Sequence, residues 1–318
     1  MKRNILILLS LLFSTLILTS CVSYYNYDEN KINITATTNI MGNLAEIIGD
    51  ERVNVYSLMG AGIDPHQYVA RPHDYNALNK ADFILVSGLH LEGKLSSIID
   101  NYQKNTDKHV LLVGDTIINR SDLSLTNKLI ENEDFGDNYD PHFWFDLDLY
   151  KEAAKYVLET LSYIEPENED YFINNYLFYI AEIDELEVFI INELSKLNNL
   201  NKILISSHDA FEYFGNMFGF KVYALQGLST EDQISPKDVL EIVDIVINEN
   251  VKAIFPETSV PSETIMSVRE EVLKKGSLVN IGKNLYSDSL GDSETDNTYI
   301  KMYKLNVTNI VEAFLKEG

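Results

Sequence analysis

From Pro166 to Asn198 the chain offers no glycine and no internal proline. Its apolar residues return every third or fourth position, at Phe172, Tyr176, Tyr179, Ile183, Leu186, Ile190, Leu194 and Leu197. That period is helical, so one face is apolar along the whole stretch. Pro166 suits the first helical position, where a missing N–H costs nothing. Glu165, Glu167, Glu169 and Asp170 place negative charge at the positive end of the helix dipole. At 1.5 Å per residue the predicted helix is about 50 Å long, the span of a domain or more. Such a rod either runs through the core of one domain or serves as a spine between two lobes. The flanking sequence favours the spine.

Before the helix, short β-rich runs alternate with helical patterns: strands at 32–37, 53–58, 83–87 and 109–113, and helices at 39–49, 74–80, 91–103 and 146–163. After it the alternation recurs, with strands at 202–206, 221–225, 251–255 and 277–281 and helices at 210–218, 236–250, 261–275 and 298–316. Ser235-Pro236-Lys237-Asp238 is a capping-box start for one of these. Strand–helix alternation predicts βαβ units and a parallel sheet in each half. The expected fold is α/β: an N-terminal lobe at 31–165, a linking helix at 166–198 and a C-terminal lobe at 199–318. The segment 119–140 is polar and irregular, with the acidic run Glu131 to Asp140.

The chain starts as a targeting segment. Lys2 and Arg3 precede an almost wholly apolar run from Ile5 to Leu18, and Leu18-Thr19-Ser20 leads to Cys21, the only cysteine. This resembles the bacterial lipobox, in which the cysteine becomes lipid-modified and begins the mature chain; an ordinary signal peptide or an N-terminal anchor is the competing reading. Residues 1–20 are then a lipoprotein signal peptide and 21–30 a tether. With Cys21 lipidated, no thiol is left for a disulfide or a metal. The formal charge of −24 argues against a nucleic-acid partner, whose phosphates need a basic surface. Hydrophobic content of 45% is enough to build a real core.

Three histidines stand out, and two of them, His66 and His208, sit where open parallel sheets bind ligands, beyond the carboxyl ends of strands. His66 closes Gly62-Ile63-Asp64-Pro65-His66 after the second strand. His142 lies in a second Asp-Pro-His, Asp140-Pro141-His142, beside the only tryptophan, Trp144. His208 ends the first strand of the second half in Ser207-His208-Asp209. Pro65 and Asp64 restrain the backbone and can fix the imidazole's direction. Asp288, in the loop after the last strand, reads equally well as a turn former. Glu257 ends another strand and reads as a ligand, a solvated carboxylate or, preferably, an acceptor that orients a ligating imidazole. His73, His90 and His109 read as structural or solvated.

In order and spacing these features resemble the metal-receptor lipoproteins of bacterial ABC transporters, the TroA-like family that binds zinc or manganese. The resemblance runs from Ile32 to the final helix. It is carried by the lipobox, Asp64-Pro65-His66-Gln67-Tyr68, Asn79 to Gly93, Asp140 to Asp146, Ser207 to Phe214, Ile234-Ser235-Pro236, Lys252 to Ser259 and Tyr286 to Gly291. It implies two α/β lobes joined by one long rigid helix, with His66, His142, His208 and Asp288 as ligands of one transported divalent metal ion in the cleft. It also implies a monomer held by lipid on Cys21 at the extracytoplasmic side of a cell membrane, periplasmic or outer face, delivering metal to an ABC permease rather than acting as an enzyme. Some manganese-preferring members have Glu in place of His208. Zinc-directed members often carry a histidine-rich loop that this chain lacks.

Three imidazoles and a carboxylate suit zinc and other late first-row ions better than manganese, which prefers more oxygen donors. A zinc hydrolase is the competing class, since three histidines and a water can be catalytic. Asp288 would fill the position such a water needs, and no separate general base is evident. A surface adhesin is a secondary role that the resemblance allows.

Overall fold

The computed structural model describes residues 26–132, 139–231 and 233–316. The signal segment 1–20, Cys21 and the tether up to residue 25 lie outside the described residues. In the first half, β1 (Ile32–Thr38), β2 (Val53–Met59), β3 (Phe83–Val86) and β4 (His109–Leu112) form one parallel sheet in the order β2-β1-β3-β4. The register pairs Ile32 with Val53, Ile34 with Phe83 and Phe83 with His109. All seven residues of β1 are buried, as expected of a central strand covered on both faces. Helices α1 (Asn39–Gly49), α2 (Pro72–Lys80), α3 (Ser96–Asn105), α4 (Val113–Arg120), α5 (Leu123–Thr126) and α6 (Leu147–Ile164) complete this half.

In the second half, β5 (Ile203–His208) pairs in parallel with β6 (Lys221–Gln226), and β7 (Ala253–Ile254) with β8 (Asn280–Ile281). The Phe255 N–H donates to the Ile205 carbonyl at 2.9 Å and joins the two pairs. The resulting order, β6-β5-β7-β8, repeats that of the first sheet.

The long helix α7 (Glu169–Leu194) is shorter than the sequence suggests, because a 3₁₀ turn precedes it at Pro166–Asn168 and another follows at Ser195–Leu197. The α-helical part is about 39 Å long. Its buried stripe is Phe172, Tyr179, Ile183, Leu186, Ile190 and Leu194, the face expected from periodicity. Helices α8 (Glu212–Phe218), α9 (Pro236–Asn248), α10 (Glu263–Lys274) and α11 (Tyr299–Leu315) close the second half.

The spine is not the only tie between the halves. One continuous core takes in Ile34 and Leu85 of the first sheet, Leu204 and Phe255 of the second, and Tyr150, Tyr179, Tyr299 and Tyr303 between them. Tyr150 and Tyr299 stack with ring centroids 3.7 Å apart. From α11, the Tyr299 hydroxyl donates to the Trp144 carbonyl and the Tyr303 hydroxyl to the Phe145 carbonyl. Each outer sheet face has its own smaller core, one around Ile84 and Leu95, the other around Ile205 and Val268.

Local expectations fail where side chains compete for the backbone. The helix expected from Leu91 begins only at Ser96. Glu92 turns its carboxylate back onto the Ser87 and Gly88 N–H groups, and Gly88, Leu89 and His90 all take left-handed backbone angles. The stretch from 113 carries α4, and α5 starts where Asp122 caps the Ser124 and Leu125 N–H groups. Strands β7 and β8 are only two residues long each.

Candidate metal centre

The four predicted ligands come from four separate loops or strand ends and converge. One ligand atom from each of His66, His142, His208 and Asp288 lies within 4.8 Å of the others, and all four residues are buried. No other group of three or more such residues occurs among the described residues. His73 pairs with Asp74, and His109 packs edge-on against Tyr163, away from this cluster.

Each imidazole is aimed by its own segment. Asp64 Oδ1 accepts the His66 N–H at 2.9 Å, and Asp140 Oδ1 accepts the His142 N–H at 2.9 Å, so both Asp-Pro-His sequences form the same local turn. Asp140 Oδ1 also lies 2.7 Å from His142 Nδ1. Glu257 does the same for His208 from a distant segment: Oε1 accepts the His208 N–H at 2.8 Å, and Oε2 lies 2.6 Å from Nδ1. A carboxylate on Nδ1 makes that nitrogen the donor and turns the lone pair of Nε2 outward. Asp288 is held by Ser259, whose hydroxyl donates to Oδ2 at 3.0 Å.

The atoms left over point at one another. His142 Nε2 and His208 Nε2 are 3.3 Å apart, and each is 3.4 Å from Asp288 Oδ1. His66 Nε2 and Asp288 Oδ1 are buried without a hydrogen-bond partner. Zinc bonds of about 2.0–2.1 Å in a tetrahedron require ligand atoms about 3.3 Å apart. Three of the four positions already have that spacing. A cation at their centre would satisfy donors that otherwise remain orphaned.

The protonation pattern is uneven. Burial drives His66 down to about 3, against the opposing pull of Asp288. Burial also acts downward on His142, but Asp140 and then Asp288 outweigh it and raise the imidazole to about 9. His208 is held well above its ordinary value because Asp288 and Glu257 overcome the same burial effect. Burial pushes Asp288 up, yet His208 and His142 hold it well below the usual carboxylate range.

Several polar residues around the site escaped the sequence reading. From sequence alone Asp64 has only a turn role and Asp140 no role of its own, although their place two residues before each histidine marks them. Thr230 donates to Asp64 Oδ2 from the loop after β6, and the Gln67 side chain donates to the Thr230 carbonyl. Lys94 pairs with Glu231 at 2.8 Å on the same seam. Nothing local in the sequence signals these contacts.

A family model described as ZnuA, zinc-uptake complex component A periplasmic, matches residues 34–313. The manganese-binding lipoprotein MntA of Bacillus subtilis is 37% identical over 96% of this chain and 97% of its own length. The zinc-binding protein TroA of Treponema pallidum is 33% identical over 91% of this chain and 90% of its own. The solved structure of periplasmic TroA aligns with a TM-score of 0.83 at 32% identity, covering 90% of this chain and 100% of that one. By motif order, fold and match over nearly its whole length, the chain belongs to the ZnuA family of metal-binding receptors of bacterial ABC transporters.

Proposed function

We propose that the chain captures one divalent metal ion with His66, His142, His208 and Asp288 and delivers it to the permease of an ABC transporter. The observation that carries this reading is the convergence of buried ring nitrogens and one carboxylate oxygen, two of them orphaned, at distances a single ion would bridge. The relatives are named as metal-binding proteins and as substrate-binding lipoproteins of metal ABC transporters, and the family is one of solute-binding proteins rather than enzymes. Here that reading extends to a chain without hydrolytic turnover, in which Asp288 takes the position a catalytic water would need.

Zinc is the metal we expect to bind more tightly in vitro. Three imidazoles favour it, affinity rises toward it along the first row, and the Ser259 hydroxyl already engages one oxygen of Asp288. Manganese is the cellular rival, named in the MntA relative. The mature chain acts as a monomer tethered by lipid on Cys21 at the outer face of a cell membrane. That anchor is supported by the lipobox and by relatives named lipoproteins.

Metal held between segments from both halves keeps the cleft closed. The stiff α7 and the shared aromatic core restrict release to small rocking and loop motions. Metal analysis of the purified protein, with competitive zinc and manganese titration, tests the assignment. One ion per chain, lost in His208→Ala, is expected; tighter manganese than zinc binding would overturn the preference. Solution scattering with and without metal tests the motion, and a large change in dimensions would contradict it.

A further inference from the structure

Asp288 belongs to the second half by sequence, but the residues on both sides of it are bonded to the first half. Leu290 donates its N–H to Asn39 Oδ1 at 2.9 Å and accepts from Asn39 Nδ2 at 3.1 Å. Ser289 Oγ accepts the Gly62 N–H at 2.9 Å. The Ser287 carbonyl accepts the Trp144 indole N–H at 3.0 Å. Just before this segment the attachment is different: Leu285 exchanges backbone bonds with Pro256 and Thr258, and the Tyr286 N–H goes to Asn306 Oδ1. The chain therefore changes partners between Tyr286 and Ser287. Beyond that point two second-half side chains reach the ligand segment among the described residues: Ser259, which bonds Asp288 Oδ2 and Ser287 Oγ, and His208, whose Nε2 lies 3.4 Å from Asp288 Oδ1.

Resting on the metal-site reading above, we infer that Asn39 is a positioning residue for Asp288 and that segment 287–290 moves with the N-terminal lobe. Asn39 is well placed for this. It is the first residue of α1, directly after Thr38, whose hydroxyl caps the helix. Thr38 lies 3.3 Å from the Ser87 hydroxyl, and Ser87 is fixed in turn by buried Glu92. The two-point amide pair fixes both the distance and the rotation of the Leu290 peptide, two residues from the ligand. Asp288 Oδ1 thereby shares a frame with His66 and His142, and His208 is the ligand presented from across the cleft. A small lobe movement then changes the bond to His208 and leaves the other three in their common frame.

The test is a double-mutant cycle read with zinc and with cobalt as a spectroscopic probe. It uses the full mature chain, Asn39→Leu, Asp288→Ala and the double variant, with Asn39→Ala as a second probe that cannot clash. Asn39→Leu is expected to weaken zinc about 10- to 100-fold, the range for residues that orient a ligand, and to alter the cobalt visible spectrum. In the Asp288→Ala background the same change is expected to cost less than about twofold, because the residue acts through Asp288. Thermal stability should shift alike in both backgrounds. Equal losses of affinity in both backgrounds, or none in either Asn39 variant, would overturn the inference while leaving the metal site standing. A parent chain that binds no zinc, or binds it as well without Asp288, would overturn the site reading and this inference with it.

Discussion

The two Asp-Pro-His segments share a tripeptide and a turn, and they differ in almost everything around it. In both, the aspartate accepts the histidine N–H at 2.9 Å. At Asp140 the same oxygen also reaches the ring, and His142 is raised to about 9. At Asp64 the second oxygen turns away to Thr230 across the cleft, no carboxylate is recorded on the ring, and burial leaves His66 neutral down to about 3. The tripeptide thus sets a direction, whereas proton affinity comes from what the fold brings to the imidazole.

The largest expected effect would erase the contrast. If both are ligands, His66→Ala and His142→Ala each weaken zinc by more than about 100-fold, beyond the range for orienting residues. Equilibrium competition against a chelator reads this, and near-normal binding without His66 would confine the site to the other three residues.

The next effect separates the two aspartates. Asp140→Asn keeps the backbone bond but cannot hold the ring N–H as a charged acceptor, so a loss of about 10- to 100-fold is expected. Asp64→Asn, which never touched its ring, should cost only a few-fold. Equal losses would mean that the turn, not the ring contact, is what matters.

A third effect lies in pH. Metal must displace the protons of His142 and His208, both raised, so zinc affinity should keep rising with pH at least to about 9 rather than levelling near 6.5. His66 adds no slope above about 3. The linked stability runs the other way. A raised folded-state value means that His142 stabilises the metal-free chain fully below 6.5 and loses this contribution as pH rises through about 9. Calorimetry in buffers of different ionisation enthalpy counts the released protons; a flat affinity from pH 7 to 9 would contradict the assignment.

The smallest effect concerns the cleft seam. Thr230→Val removes the hydroxyl that binds Asp64 and should cost about 1 kcal/mol, or about fivefold in affinity, chiefly as faster release. Stopped-flow chelation measures it, and an unchanged off-rate would show that the seam does not hold the His66 loop.

Much of the fold was legible because its causes are local. The α7 stripe follows from spacing along one helix, and the strand–helix alternation from short apolar runs between turns. His66, His142 and His208 stood out as loop or strand-end residues, two of them in a repeated turn. The shortened α3 was not legible, because the turn that Glu92 makes with the Ser87 and Gly88 N–H groups exists only in the folded loop. Ser259, Thr230 and Asn39 were unmarked for a related reason: each is an ordinary polar residue whose partner lies far along the chain.

By itself the sequence determined the α/β alternation, the long helix and the residue types that converge on the site, since helical period, turn chemistry and strand-end position depend on near neighbours. Only the tertiary structure decided that the halves share one aromatic core, that His66 and His142 have different polar surroundings, and that Leu290, two residues beyond Asp288, pairs with Asn39. Those properties depend on desolvation, on charge at a few ångströms and on hydrogen bonds between segments as much as 256 residues apart, and these arise only when the chain has folded.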